Sequence, residues 1–256
     1  MDLLRDTWYL FIRLVRINRR MPVFLLLSIM QPVLWMLLFG QLFTRVTSLP
    51  GFEAESYIQF IAPGIAIMTA LFSAAYSGLS LLKDIEGGFL DRLIATPVSR
   101  GALVASRVLM AAGQVVLQAA IILVMSFALG ARPHGGLLGL LGVFFPAALL
   151  AASFASVSCG MALITRRQEL VIAAMNFIVL PLTFLSSMIM TRNLMPGWIR
   201  TVTRFNPVDW AVTVSRHSFE GQLDSELVTS LALLLTCTLG CALFATHAFK
   251  RYQKTM

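Results

Sequence analysis

The chain alternates long runs of apolar residues with short clusters of charge, and six of the runs are long enough to cross a bilayer as helices. About 20 apolar residues are needed to span the hydrocarbon, where a backbone amide finds no water and must be satisfied within a helix. The pattern predicts spans at Pro22–Phe43, Ile58–Leu82, Leu103–Leu129, Leu137–Ile164, Leu170–Met190 and Leu227–Phe249. The predicted fold class is therefore an all-α membrane protein with six transmembrane helices, forming one domain over residues 1–256.

Composition supports this prediction and limits the classes of partner. Hydrophobic residues make up 58% of the chain and charged residues 12%, whereas about a quarter of residues are charged in a soluble domain. The net charge of +8 comes from Lys and Arg residues in short clusters between the apolar runs, which is typical of membrane topology rather than of nucleic-acid binding. Three cysteines lie within apolar runs without a partner at a suitable spacing, so we expect neither a disulfide nor a metal site.

The positions of Lys and Arg also predict the orientation, because basic loops are retained in the cytoplasm. The best assignment places both termini in the cytoplasm, and only the segment Thr191–Glu226 puts several arginines outside. The first apolar run is too long for a cleaved signal peptide. The basic residues assigned to the inside are Arg5, Arg13, Arg16, Arg19, Arg20, Lys83, Arg92, Arg100, Arg166, Arg167, Lys250, Arg251 and Lys254.

Residues 1–21 have the pattern of an amphipathic helix. At 100° per residue the arginines occupy one arc, and an apolar set that includes Trp8 occupies the other. We expect this helix to lie on the inner leaflet as an interfacial helix.

The inner segment 83–100 contains more structural signals than a simple connection needs. Asp84 is placed to cap a short helix in which Ile85, Phe89 and Leu93 share a face, and Thr96–Pro97 would end that helix. Such a helix, fixed between two spans, offers a surface that a soluble partner can bind and move. A solvated turn lying on the headgroups is the alternative, and the pattern leaves both open.

The outer segment 191–226 predicts two short helices before the last span. Trp198 begins an apolar face that opposes Arg200 and Arg204, and Asn206–Pro207 marks the start of the second helix with an N-cap and a proline at the first position. Trp198 and Trp210 are expected to anchor these helices in the outer interface.

Four amides within the spans could line a pathway. Gln114 and Gln118 share a face of the third span, and Gln31 and Asn176 are isolated in the first and fifth. Polar groups in lipid tend to face a partner or a pathway, although hydrogen bonds between helices explain them equally well. Small residues at helical spacing favour close packing within the chain, namely Ala70, Ala74, Gly78, Ala152, Ser156 and Gly160.

The sequence contains neither a GxSxG motif nor a GxxxxGK[ST] phosphate-binding loop, so no catalytic, cofactor-binding or metal-binding residues are assigned. Any dependence on ATP must come from another polypeptide.

Four motifs, in the order in which they occur along the chain, resemble those of the permease subunits of type-2 ABC transporters, in particular the drug-resistance and lipo-oligosaccharide export branch. They are Glu86-Gly87-Gly88 through Leu93 to Arg100, Pro181 to Ser186, Met195 to Trp198, and Asn206 to Trp210 continuing to Arg216. One departure is that Asp209-Trp210 stands where the family often has a hydroxyl residue and a tyrosine. We expect this change to alter how that helix meets the headgroups.

The resemblance implies partners and roles. Two membrane subunits, identical or paralogous, would form the pathway in a bacterial cytoplasmic membrane, and two cytoplasmic ATPases would bind the ATP and Mg²⁺. The N-terminal helix and the coupling residues Ile85, Glu86, Gly87, Phe89 and Leu93 would face the ATPases, and the paired outer helices would be re-entrant, with an outer gate at Trp198, Asn206, Pro207 and Trp210.

The expected function is export of a hydrophobic or amphipathic molecule, such as a drug, antibiotic or lipid-like compound. The alternatives are a glycolipid or polysaccharide exporter and, from other classes, an ion-coupled secondary transporter or a membrane scaffold. An ion-coupled carrier usually places a carboxylate within the membrane, and the six predicted spans contain neither Asp nor Glu.

Overall fold

Apolar sequence of this length can satisfy its backbone only in helices, and the described part of the chain contains helices, turns and no strand. A computed structural model describes residues 3–19, 22–48, 56–88 and 100–254. The α-helices are α1 (Leu3–Arg19), α2 (Pro22–Leu42), α3 (Tyr57–Ala75), α4 (Ser77–Glu86), α5 (Arg100–Ala128), α6 (Gly136–Thr165), α7 (Gln168–Phe184), α8 (Gly197–Thr203), α9 (Pro207–Glu220) and α10 (Ser225–Lys254), with short 3-10 turns at Thr44–Ser48 and Arg192–Leu194.

Four stretches of the described residues are long and apolar enough to cross a membrane. They are Tyr57–Glu86, which comprises α3 and α4, and the parts of α5, α6 and α10 at Gly101–Ala128, Gly136–Thr165 and Ser225–Tyr252. Four of the predicted spans are thereby confirmed as helices of sufficient length. Two shorter apolar helices, Leu27–Leu42 and Gln168–Phe184, lie where the first and fifth spans were predicted.

The fifth predicted span, Leu170–Met190, was wrong at its C-terminal boundary. The helix α7 ends at Phe184, and the chain turns through residues 185–191 instead of continuing. Side chains of α9 bind the backbone of this turn, as described below, so α7 ends for a tertiary reason.

Helix α6 lies at the centre of the bundle, where it packs against α3, α4, α5, α9 and α10. Small residues permit these contacts: a Cβ at Gly78 would collide with the backbone carbonyl of Ser158, and one at Gly160 would collide with the ring of Phe244. The packing role predicted for the small residues is confirmed at these two glycines.

The amphipathic helix α1 packs along α5. Buried side chains of α3–α7, α9 and α10 form the main apolar core. Leu10 packs against this core, whereas Arg5, Arg16 and Arg19 are exposed. The described bundle has two ends. We call the end that carries Glu86 and the start of α7 the Glu86 end, and the opposite end, which carries the starts of α3 and α10, the Arg192 end.

Candidate functional site

Asp84 joins three helices at the Glu86 end. Arg13 of α1 donates to both carboxylate oxygens of Asp84, at 3.1 and 3.2 Å, and Arg107 of α5 donates to Oδ2 at 2.5 Å and to Ser80 Oγ at 2.6 Å. The Arg107 side chain is only 5% exposed. A buried guanidinium requires such partners because its desolvation is otherwise uncompensated.

These contacts correct one sequence-based expectation, the capping role of Asp84. Arg107, near the start of the third predicted span, points into the bundle and pairs with Asp84. Asp84 was expected to cap a new helix, but it lies inside α4, which runs from Ser77 to Glu86. Its carboxylate forms ion pairs with Arg13 of α1 and Arg107 of α5 instead of capping the N-terminus of a helix.

The predicted coupling residues lie at and beyond the end of α4. Ile85 packs partly buried against the main core, and Glu86 is exposed and accepts from Gln168 Nε2 of α7 at 3.3 and 3.2 Å. Gly87 closes α4 by donating its backbone N–H to Lys83 O. Phe89 and Leu93 lie outside the described residues. The structure thus brings Glu86 together with α7, a contact that the sequence did not indicate.

Asn206 organises the Arg192 end. Its side-chain oxygen accepts from Val208 N at 2.9 Å, so the predicted N-cap is confirmed, and Pro207 occupies the first turn of α9. Its amide nitrogen donates to the carbonyls of Leu182 and Leu185, both at 2.7 Å. One side chain therefore starts α9 and satisfies carbonyls released at the end of α7.

Asp209 is fully buried in the first turn of α9. Its Oδ1 accepts from Ser187 N at 2.7 Å, and its Oδ2 pairs with Arg192, whose Nε lies at 3.0 Å. Arg192 also bonds Thr213 of α9 and pairs with Glu226 of α10. The Asp209 carboxylate therefore turns inward to this ion pair, and how the helix that carries Asp209-Trp210 meets the headgroups stays a prediction.

The pairing of Arg192 with Asp209 was not predicted from the sequence. The available signal was a segment with four arginines and four acidic residues in an otherwise apolar chain. That composition indicates pairing in general, but it does not indicate which groups meet.

The two tryptophans of the predicted outer gate occupy different environments. Trp198 is 65% exposed on α8. Trp210 is half-buried against the main core, and its Nε1 donates to Arg204 O at 2.8 Å. Trp210 therefore joins α9 to the turn that follows α8.

Two further side chains of α9, Arg216 and His217, connect it to its neighbours. The Arg216 guanidinium lies 3.7 Å from the centroid of the Phe60 ring in α3 and donates to Ser187 O at 2.8 Å. Asp224 accepts from Leu227 N and lies 3.0 Å from His217 Nδ1, and the hydrogen bond from His217 is the main cause that lowers the pKa of the Asp224 carboxyl.

The four candidate pathway amides have different neighbours. Gln31 is exposed on α2, and Gln114 lies 3.5 Å from Asn18 of α1. Gln118 donates to Ser28 of α2 at 3.1 Å, and Asn176 accepts from Tyr76 at 2.6 Å. The contact of Gln118 joins α5 to α2, and that of Asn176 joins α7 to the junction between α3 and α4, which is the interhelical hydrogen bonding that the sequence left open.

Long apolar helices, polar side chains paired at the helix ends, and a short helix pair before α10 define a polytopic α-helical membrane protein. The chain belongs to the ABC-2 type transporter family, whose family model matches residues 5–219. It is therefore a transport permease subunit, set in a membrane and partnered by an ABC ATPase.

Relatives across several lineages are similar over most of their length. The chain is 27% identical to the daunorubicin resistance ABC transporter permease protein DrrB1 of Streptomyces coeruleorubidus, covering 92% of this chain and 81% of the relative. The protein ycf38 of Cyanophora paradoxa, named as a transport permease, is 31% identical over 82% of this chain and 71% of its own length. The inner membrane transport permease YadH of Escherichia coli K12 is 25% identical over 79% of this chain and 77% of its own length.

Proposed function

We propose that this chain is the permease subunit of an ATP-driven exporter that moves a hydrophobic or amphipathic molecule, such as a drug, antibiotic or lipid-like compound, out of the cytoplasm or the inner leaflet. The observation that carries the proposal is the similarity over 92% of the chain to a permease named for daunorubicin resistance. The bacterial cytoplasmic membrane is the proposed location, as the name of the YadH relative supports.

The proposed topology has six spans with both termini cytoplasmic, so the Glu86 end faces the cytoplasm. Helix α2 has 21 residues and can cross, whereas the 17 residues of α7 extend about 26 Å at 1.5 Å per residue. That length falls short of a hydrocarbon layer of about 30 Å. In this proposal α8 and α9 complete the crossing as a re-entrant pair before α10.

The proposed assembly contains two permease copies and two cytoplasmic ATPases, which bind the ATP and Mg²⁺. Exposed apolar side chains on α2 and α7 support a second copy as the neighbour, with lipid covering the remainder. They include Leu34, Leu38 and Leu42 on α2 and Phe177, Leu180 and Phe184 on α7. The pathway would lie between the copies, where Gln31 is exposed, and Gln114, Gln118 and Asn176 are the other proposed pathway residues.

ATPase coupling is assigned to Ile85, Glu86 and Gly87, together with Phe89 and Leu93 on the sequence argument alone. The contact of Glu86 with Gln168 supports a route from α4 to α7. The outer gate is assigned to Trp198, Asn206, Pro207 and Trp210, because Asn206 joins the end of α7 to the start of α9. ATP binding would favour one arrangement of these contacts over the other and so alternate access to the pathway.

The test is nucleotide-dependent efflux of a fluorescent amphipathic drug from vesicles containing this chain and its ATPase. Glu86→Ala should lower the drug moved per ATP hydrolysed by about two- to thirtyfold, the range for residues that carry coupling energy. Glu169→Ala is the matched control, since it removes an exposed carboxylate next to Gln168. Normal transport by Glu86→Ala would refute its coupling role.

The same preparation decides between the classes of function. Transport of a glycolipid or polysaccharide but not of the drug would replace the proposed substrate class. Absence of nucleotide-dependent transport with every candidate ATPase would refute the exporter.

A further inference from the structure

The last turn of α4 carries two carboxylates that point to opposite sides of the helix. Asp84 and Glu86 are two residues apart, which places them about 200° apart around a helix of 3.6 residues per turn. Glu86 contacts α7, whereas Asp84 contacts α1 and α5. Three neighbouring helices are thus attached to one turn, which directly precedes residues 89–99.

The link from Asp84 to α5 is the firmer of its two links. Arg107 is 5% exposed and is held by both Asp84 and Ser80. A guanidinium this buried is costly to leave unpaired, so we expect α4 and α5 to remain joined whenever the chain is folded.

The link from Asp84 to α1 is the more adjustable one. Arg13 is 33% exposed, and its two hydrogen bonds to Asp84 form a bidentate pair. A small cavity beside this pair is lined by Leu10 and Leu14 of α1 and by Leu103 and Ser106 of α5. Helix α1 is otherwise held by its packing along α5, and the ion pair from Arg13 to Asp84 adds a direct link from α1 to α4.

We propose that Asp84 is the positioning residue through which α1 follows the movement of the α4–α5 pair. This inference rests on the proposed function, in which the ATPase moves the coupling segment at the end of α4. There α7 is linked to α4 through Glu86, and the inference adds that α1 is linked to α4 through Asp84. The bidentate geometry of Arg13 transmits direction as well as attraction, which a single-point contact would not do.

A cross-linking experiment tests whether the Arg13–Asp84 ion pair positions α1, without requiring transport. Leu14→Cys and Ser106→Cys place thiols on either side of the cavity, in full-length protein whose three native cysteines are replaced by alanine. A short bifunctional thiol reagent should join them efficiently when Arg13 is present. Arg13→Ala should lower the yield several-fold, and Arg13→Lys should restore part of it because the positive charge is kept.

Arg16→Ala is the matched control, because it removes the same charge from an exposed position of the same helix. Its cross-link yield should equal that of the unaltered chain. Equal yields for Arg13→Ala and Arg16→Ala would overturn the proposal. Arg13 is a better target than Asp84, because Asp84→Asn leaves the buried Arg107 without its counter-charge and endangers folding.

The functional measurement is drug moved per ATP hydrolysed, in vesicles with the partner ATPase. Arg13→Ala should lower this ratio by about two- to thirtyfold, and Arg13→Lys should recover part of the loss. An unchanged ratio despite a lost cross-link would overturn the proposal. If the unaltered chain shows no ATP-driven transport, the proposed function fails, and the cross-link yields still decide separately whether Asp84 positions α1.

Discussion

Two trios of charged side chains, one at each end of the bundle, have opposite composition. At the Glu86 end one carboxylate, Asp84, is shared by two guanidinium groups from α1 and α5. At the Arg192 end one guanidinium, Arg192, is shared by the carboxylates of Asp209 and Glu226. Each trio thus retains one net charge, positive at the Glu86 end and negative at the Arg192 end.

Replacing Arg192 should destabilise the fold. Arg192→Ala removes the cation that is paired directly with the fully buried Asp209, and removing one partner of a buried pair costs about 3 kcal/mol or more. Thermal unfolding of the purified protein in detergent should show the loss as a lower midpoint.

The control for this prediction is Arg204→Ala, which removes an exposed arginine from the same segment. Its unfolding midpoint should match that of the unaltered chain. If both variants unfold at the same temperature, the ion pair with Asp209 is not a stabilising contact.

At the scale of elements, close approach of backbones determines how the spans assemble. Lipid tails are as apolar as the helix surfaces, so helices in a membrane associate through tight packing and hydrogen bonds rather than through hydrophobic exclusion. Gly78 of α4 fits against the backbone of Ser158 in α6, and its own N–H donates to Ser158 Oγ at 3.0 Å. The contact needs a residue without a side chain.

Gly78→Ala should therefore separate α4 from α6 and lower the unfolding free energy by about 1–3 kcal/mol, the usual cost of adding volume to a packed site. Gly113→Ala is the control, because a Cβ there meets no atom within 4 Å. That variant should be neutral or stabilised by less than about 1 kcal/mol. A Gly78→Ala protein as stable as the control would show that the α4–α6 contact is looser than described.

At the scale of the whole molecule, the arrangement predicts which residues face each side of the membrane. Leu137 and Leu223 are exposed at the Arg192 end, and Glu169 is exposed at the Glu86 end. With Cys159, Cys237 and Cys241 replaced by alanine, single cysteines at the first two positions should react with an impermeant thiol reagent added outside intact cells. A cysteine at position 169 should react only after the cells are opened. The reverse pattern would invert the topology.

Much of the fold was predictable because its causes are local in the chain. Apolar runs longer than the hydrocarbon thickness form helices wherever they occur. The start of α9 at Asn206–Pro207 was also predictable, since capping depends on adjacent residues. The interhelical contact at Gly78 was indicated by small residues at helical spacing, although its partner Ser158 was not.

The candidate site was predictable only in part, because its contacts join distant parts of the sequence. Asp84 and Arg13 are separated by 71 positions, and Glu86 and Gln168 by 82. A local pattern gave Asp84 a capping role, since an acidic residue before an amphipathic stretch is typical of an N-cap. The ion pairs of Asp84 with Arg13 of α1 and Arg107 of α5 outweighed that local preference.

By itself the sequence determined that the chain must be helical and embedded in lipid, and where most of the long helices lie, because backbone hydrogen bonding in hydrocarbon allows no other solution for such runs. The tertiary structure alone decided that α7 stops at Phe184, that Asp209 turns inward, and that Asp84 joins α1 to α5. Each of these depends on which buried charge or free carbonyl finds a partner after the helices have packed, and the desolvation cost of an unpaired group fixes that choice.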